Sequence, residues 1–263
     1  MTRSDRVALF GMMIDNVTMD EAVDAVRRLI ESEGRHYVAT PNVDHIVRLH
    51  KDPAFRRAYA GASLVIPDGM PLIWASRSLG RPLKGRVTGA DLLPNVCRMA
   101  AQMSKSVYFL GGREGVAQHA GENLAARYPG LRVAGAYSPP MGFERDPAEH
   151  QRIVECINAA QPDVLAIGLG SPKQELWIAE HLHTLAVKVA LCIGAGIDFA
   201  AGTAVRAPHW MQDHGLEWAW RLLQEPSRLW KRYLVDDVAF AKIVAQEWWR
   251  LRSQRTGGQY EQG

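Results

Sequence analysis

The chain has 263 residues, 47% of them hydrophobic and 22% charged, with a formal net charge of +3. A chain of this size buries roughly 70–75% of its unfolded surface, enough for one α/β domain and an appendage, and its small charge excess excludes a strongly basic nucleic-acid binder. Cys97, Cys156 and Cys192 show no CxxC spacing and suit buried thiols in a reducing cytoplasm better than a disulfide frame.

In chain order, the first expected strand covers residues 7–10. The apolar run there ends at Asp15 without a small-residue cleavage site, so no signal peptide is expected. Thr18-Met19-Asp20-Glu21 is a capping box opening a helix that carries Ala22, Val23, Val26 and Ile30. Further strands are expected at residues 36–40, 63–66, 106–110, 131–136, 164–168 and 187–193. Asp146-Pro147-Ala148-Glu149 opens another helix, with proline at its first position. Several strands are continuously apolar, as in a parallel sheet covered on both faces. The alternation predicts a Rossmann-like α/β domain over residues 1–202, a mostly parallel sheet with helices on both faces.

After Gly202 no β-run appears. Residues 203–252 read as a helical appendage broken by Pro208, Gly215 and Pro226, and residues 253–263 as a disordered polar tail. Six of the eight tryptophans fall between Trp210 and Trp249, interleaved with arginines. Such a segment suits either an ordinary aromatic core or a surface facing anionic lipid headgroups. The longest apolar stretch, residues 189–197, is closed by Lys188 and Asp198 and falls far short of the about 20 residues that span a bilayer. Membrane contact, if any, is expected to be peripheral.

In open α/β sheets the ligand sits beyond the carboxyl ends of the strands. Those ends carry Thr40-Pro41-Asn42, Pro67-Asp68-Gly69, Gly111-Gly112-Arg113-Glu114-Gly115, Gly168-Leu169-Gly170-Ser171-Pro172-Lys173-Gln174-Glu175 and Gly194-Ala195-Gly196-Ile197-Asp198. Each has a plainer reading. The glycine pairs fit tight turns, Ser171-x-x-Gln174 fits a helix cap, Asp68-Gly69 fits a turn, and Arg86 fits a solvated loop. Their common edge favours a nucleotide site. There is no G-x-G-x-x-G after a strand, no Walker A lysine, no H-E-x-x-H and no D-x-D pair. Metal ligands are therefore not expected, and a departing phosphate would meet arginine, lysine, backbone N–H groups and helix N-termini.

Six segments in order resemble the WecG/TagA/CpsF family of bacterial glycosyltransferases (glycosyltransferase family 26). They are Thr40-Pro41-Asn42, Pro67-Asp68-Gly69, Gly85-Arg86-Val87-Thr88-Gly89, Gly170-Ser171-Pro172-Lys173-Gln174-Glu175, Arg206-Ala207-Pro208-x-Trp210 and Gly215-Leu216-Glu217-Trp218-x-x-Arg221-Leu222-x-x-Glu225-Pro226. The resemblance implies an inverting, metal-independent, cytoplasmic enzyme, peripherally attached to the inner membrane and using no cofactor. It would move N-acetylmannosamine, its uronic acid or glucose from a UDP-sugar to a polyprenyl-diphosphate-linked sugar in cell-surface polysaccharide or wall-polymer synthesis. Asp68 matches the general base, a role that its strand-end position also suits. Thr40, Asn42, Arg86 and Gln174 match the active-site polar set. Gly111, Gly112, Gly168, Gly170, Lys173 and Asp198 are assigned to the substrate site, Asp198 to the uracil, and Arg221, Arg228 and Arg232 to the lipid diphosphate. Gly194-Ala195-Gly196-Ile197-Asp198 departs from the commoner Gly-Phe-Asp form. A homo-oligomer remains open. The rival readings are an NAD-dependent oxidoreductase on the same fold and a non-catalytic nucleotide-sugar-binding membrane adaptor.

Overall fold

The computed structural model describes residues 5–208, 210, 211, 214–224 and 237–257. The first expected strand is one arm of a hairpin, β1 (Arg6–Leu9) with β2 (Met12–Asp15), outside the main sheet. Phe10 and Gly11 form its two-residue turn, both at positive φ (54° and 80°), as a twist-matched hairpin turn requires. Asp15 sits opposite Arg6 and pairs with it at 3.0 Å. Its other oxygen accepts the Val65 N–H at 2.8 Å, so the hairpin docks on the edge of the main sheet.

The remaining elements follow the expected alternation: α1 (Met19–Glu31), β3 (His36–Ala39), α2 (Val43–Lys51), α3 (Pro53–Gly61), β4 (Leu64–Val65), α4 (Met70–Ser78) and α5 (Gly89–Gln102). Then come β5 (Ser106–Gly111), α6 (Val116–Arg127), β6 (Arg132–Tyr137), α7 (Pro147–Ala160), β7 (Val164–Gly168), α8 (Lys173–His181), β8 (Val189–Cys192) and α9 (Gly196–Ala201). The Thr18–Glu21 box closes in both directions at the start of α1, and Asp146 caps α7 through Ala148 and Glu149.

All pairings in the six-stranded sheet are parallel, in the order β4-β3-β8-β7-β5-β6. Successive side chains point to opposite faces, giving two cores. Val38, Val107, Phe109, Ala166 and Leu191 pack under the helices α1, α5 and α6. Tyr37, Ala39, Leu110, Ile167 and Cys192 pack under α2, α3, α7 and α8. The chain leaves β5 outward to β6 but leaves β7 inward to β8. Connections parting from neighbouring strands open a crevice at their carboxyl ends, which is where this fold takes a ligand.

Among the described residues two helices follow, α10 (Glu217–Gln224) and α11 (Asp237–Gly257). Within the stretch expected as an appendage, α11 packs into one of the two cores. Phe240, Ile243 and Leu251 are buried at helical spacing, with Val244 and Trp248 packed beside them. The Phe240 ring lies 5.5 Å from that of Phe10, whose burial offsets the cost of its left-handed backbone. Residues 253–257, expected as disordered tail, continue α11, and residues 258–263 lie outside the described residues. Among the described residues no helix is long and apolar enough to cross a membrane.

Candidate active site

Four strand ends converge on one patch. Thr40, at the end of β3, donates from Oγ1 to the Cys192 carbonyl at 2.9 Å, clamping β3 to β8. Asn42 caps α2, its side chain accepting the His45 N–H at 3.3 Å. The Asp68 N–H donates to the Pro41 carbonyl at 2.8 Å, which holds the loop after β4 against the loop after β3. The half-buried Asp68 carboxylate accepts the N–H of Gly89, the first residue of α5, at 3.3 Å. A Cβ at Gly89 would lie 2.8 Å from the Ile193 carbonyl, so only glycine brings the start of α5 this close to β8. Asp68 is therefore more than a turn residue: its side chain ties the loop to a helix N-terminus.

Two ion pairs connect this patch to the chain after α9. Arg86 bonds Glu217 of α10 at 2.8 Å, with both side chains mostly buried. Arg206 grips the Asp91 carboxylate with both Nη atoms and lies 5.7 Å over the Phe199 ring. Burial pushes the Asp91 carboxyl up, but hydrogen bonds from Arg206 and Thr88 outweigh it and leave its pKa lowered. The Arg206 charge also feels Glu217 and Asp68, which places it within the site. Arg206 is the residue absent from the expected set, although its Arg206-Ala207-Pro208-x-Trp210 motif signals it. Asp91→Asn is expected to destabilise the fold by about 1 kcal/mol in urea titrations, a modest loss because the pair is partly exposed to screening solvent.

The Ser171-x-x-Gln174 cap does not form. The Ser171–Pro172 peptide is cis, and α8 starts at Lys173 without a side-chain cap. Gln174, 2% exposed, instead accepts the Gly194 N–H at 3.1 Å and donates to Glu175 at 2.7 Å. It thus bridges the loops after β7 and β8. Burial pushes the Glu175 carboxyl up to about 7, against opposing hydrogen bonds from the Gln174 side chain, the backbone and the Ser171 side chain.

The glycines divide into two kinds. A Cβ at Gly111 would lie 2.4 Å from the Gly168 carbonyl, and one at Gly168 would lie 2.7 Å from that of Gly194. Gly112 donates its N–H to Gly168 at 3.2 Å. At these three the backbones are in contact at the ends of β5, β7 and β8. Gly170 and Gly194, at φ of +77° and +52°, have nothing within 4 Å of a built Cβ and leave open space at the crevice. Asp198 lies half-buried on α9. Lys173, assigned to the substrate site, pairs with Glu144 at 2.9 Å and lies 5.8 Å over the Phe143 ring. Arg221 belongs to α10, its side chain undescribed; Arg228 and Arg232 lie outside the described residues. The structure thus brings together Thr40, Asn42, Asp68, Arg86, Gln174 and Arg206. A carboxylate that interacts with the Arg206 guanidinium and accepts the N–H of a helix N-terminus suits proton abstraction beside an anionic leaving group.

The family model described as the Glycosyl transferase WecG/TagA/CpsF family matches residues 7–254. A Bacillus spizizenii (strain ATCC 23059 / NRRL B-14472 / W23) protein is 31% identical over 221 residues, covering 84% of this chain and 83% of that one. A protein of Staphylococcus aureus (strain MRSA252) is 28% identical over 229 residues, 86% of each chain. One from Bacillus subtilis (strain 168) is 28% identical over 197 residues, 75% of this chain and 74% of its own. All three are named N-acetylglucosaminyldiphosphoundecaprenol N-acetyl-beta-D-mannosaminyltransferase.

Proposed function

The chain belongs to the WecG/TagA/CpsF glycosyltransferase family, and from that premise we propose that it transfers an N-acetylmannosamine-type sugar from a UDP-sugar to a polyprenyl-diphosphate-linked amino sugar, with inversion. The observation that carries this reading is the Asp68 carboxylate, held on the N-terminal amide of α5 beside Arg206.

In the proposed step the acceptor hydroxyl attacks the anomeric carbon and passes its proton to Asp68. The bond to the UDP diphosphate breaks as the new glycosidic bond forms. Arg86, Arg206 and backbone N–H groups neutralise the charge that develops on the leaving diphosphate, a task worth several kcal/mol in a site shielded from water. No divalent metal takes part in this scheme. The names of the relatives support N-acetylmannosamine as donor sugar and N-acetylglucosaminyl-diphosphate lipid as acceptor.

The test is UDP release from UDP-N-acetylmannosamine with a short-chain N-acetylglucosaminyl-diphosphate lipid, in the presence of EDTA. Release that needs both substrates supports the reading. Its absence with this donor, with the uronate and with UDP-glucose would overturn it.

Attachment to the cytoplasmic membrane face is part of the same proposal. Each cation near an anionic bilayer contributes about 1 kcal/mol, so a few give weak and salt-sensitive binding. The triple change Arg221→Glu, Arg228→Glu, Arg232→Glu is expected to abolish co-sedimentation with anionic vesicles while leaving the thermal transition in place. Unchanged sedimentation would contradict it.

A further inference from the structure

Glu217 opens α10, where the helix dipole alone favours a carboxylate. Its Oε2, however, accepts from Arg86 Nη1 at 2.8 Å. The backbone on either side is held by other contacts. Gly215, at φ of +70°, lies so close to α4 that a Cβ there would stand 2.8 Å from both Met70 Cβ and Trp74 Cη2. Trp220 Nε1 donates to the Val205 carbonyl at 3.3 Å, and the next residue, Arg206, grips Asp91. Glu217 is thus carried to Arg86 by a frame anchored elsewhere.

Arg86 is placed as closely. The Val87 N–H donates to the Pro67 carbonyl at 2.9 Å and the Gly89 N–H to the Asp68 carboxylate at 3.3 Å, so this loop runs beside the one that carries Asp68. The two guanidinium groups of the site are held differently. Arg206 commits both Nη atoms to Asp91. Arg86 commits only Nη1, to Glu217, and its other nitrogens bond nothing among the described residues. Because a guanidinium is a rigid planar fork, a carboxylate on one nitrogen sets the direction of the remaining N–H groups.

We propose that Glu217 is a positioning residue: it holds Arg86 by one nitrogen and so aims the other N–H groups at the β-phosphate of the nucleotide donor. This deepens the glycosyltransferase reading and rests on it. The β-phosphate is the one that carries the sugar, so it lies nearest the reacting carbon and the Asp68 loop. Two effects of Glu217 oppose each other there. Its charge repels an incoming diphosphate, but the diphosphate enters from water, which screens that repulsion. Without Glu217, a mostly buried Arg86 is left unpaired while Asp91 lies near enough to feel its charge. Arg86 is then drawn to Asp91, and the loss of aim prevails.

The test is calorimetric binding of UDP and of UMP, which lacks the β-phosphate, to the full chain and its variants. The natural chain is expected to bind UDP more tightly than UMP. Glu217→Ala should lose about tenfold in UDP affinity and less than about twofold in UMP affinity. Glu217→Gln, whose amide oxygen still accepts from Nη1, should stay within about threefold of the natural chain. Glu217→Asp keeps the charge but falls one methylene short, and is expected to lose about fivefold for UDP, which separates aim from charge. In an Arg86→Ala background, Glu217→Ala should change nothing further, since no guanidinium remains to be aimed. A further loss there would mean that Glu217 merely holds α10, and would overturn the proposal. Unchanged or tighter UDP binding in Glu217→Ala would overturn it too. A natural chain that binds UDP no better than UMP would sink the donor reading and the role of Glu217 with it; a UDP preference that survives in the variants would sink the role of Glu217 alone.

Discussion

Asp68→Asn is expected to lower kcat by roughly 10²–10⁴-fold, the usual contribution of a general base, while UDP still raises the thermal transition as it does for the natural chain. The change preserves shape, and an asparagine oxygen can still accept the Gly89 N–H that the carboxylate accepts at 3.3 Å. The loop after β4 also keeps its backbone bond from Asp68 to Pro41 at 2.8 Å. What disappears is the capacity to take a proton. Turnover close to that of the natural chain would remove Asp68 from the mechanism. A collapse of UDP binding along with turnover would make it a structural strut for the start of α5 instead.

The second large effect concerns the C-terminal helix. Ending the chain at Gly202 is expected to yield an unfolded or aggregating product, because α11 supplies Phe240, Ile243 and Leu251 to the core shared with Phe10 and Leu49. Its loss exposes a contiguous apolar face. Phe240→Ala in the full chain isolates the effect: about 3–5 kcal/mol of lost stability, read from the urea midpoint. A loss under about 1 kcal/mol would mean that the helix is only loosely held. This is why truncation cannot separate membrane attachment from folding, and why charge reversal at Arg221, Arg228 and Arg232 is the cleaner probe of lipid contact.

Local signals were legible in the sequence where the physics is local. Thr18 and Asp146 announce helices because a cap needs only its own next three residues. Continuous apolar runs located the strands of the buried parallel sheet. The order β4-β3-β8-β7-β5-β6 was not legible, since parallel pairing joins residues far apart in sequence. The hairpin was missed because Phe10, a residue that resists positive φ, occupies one turn position beside Gly11.

Within the site, Asp68, Thr40 and Gln174 were legible as polar residues gathered at strand ends, but their partners were not. Gln174 fits a helix cap in the sequence, whereas in the fold its amide oxygen accepts the Gly194 N–H. The Lys173–Glu144 pair was not legible, because Glu144 lies on a different loop. Arg206 and Glu175 were under-read for the same reason: the Asp91 pair and the burial that lifts Glu175 are properties of the folded chain.

The account rests on a single displacement assisted by Asp68, and the product records it. Nuclear magnetic resonance of the glycolipid formed from α-configured UDP-N-acetylmannosamine gives the configuration of the new linkage. A β-linked disaccharide on the lipid diphosphate is the predicted result. An α-linked product would contradict direct attack by the acceptor, and with it the role given to Asp68.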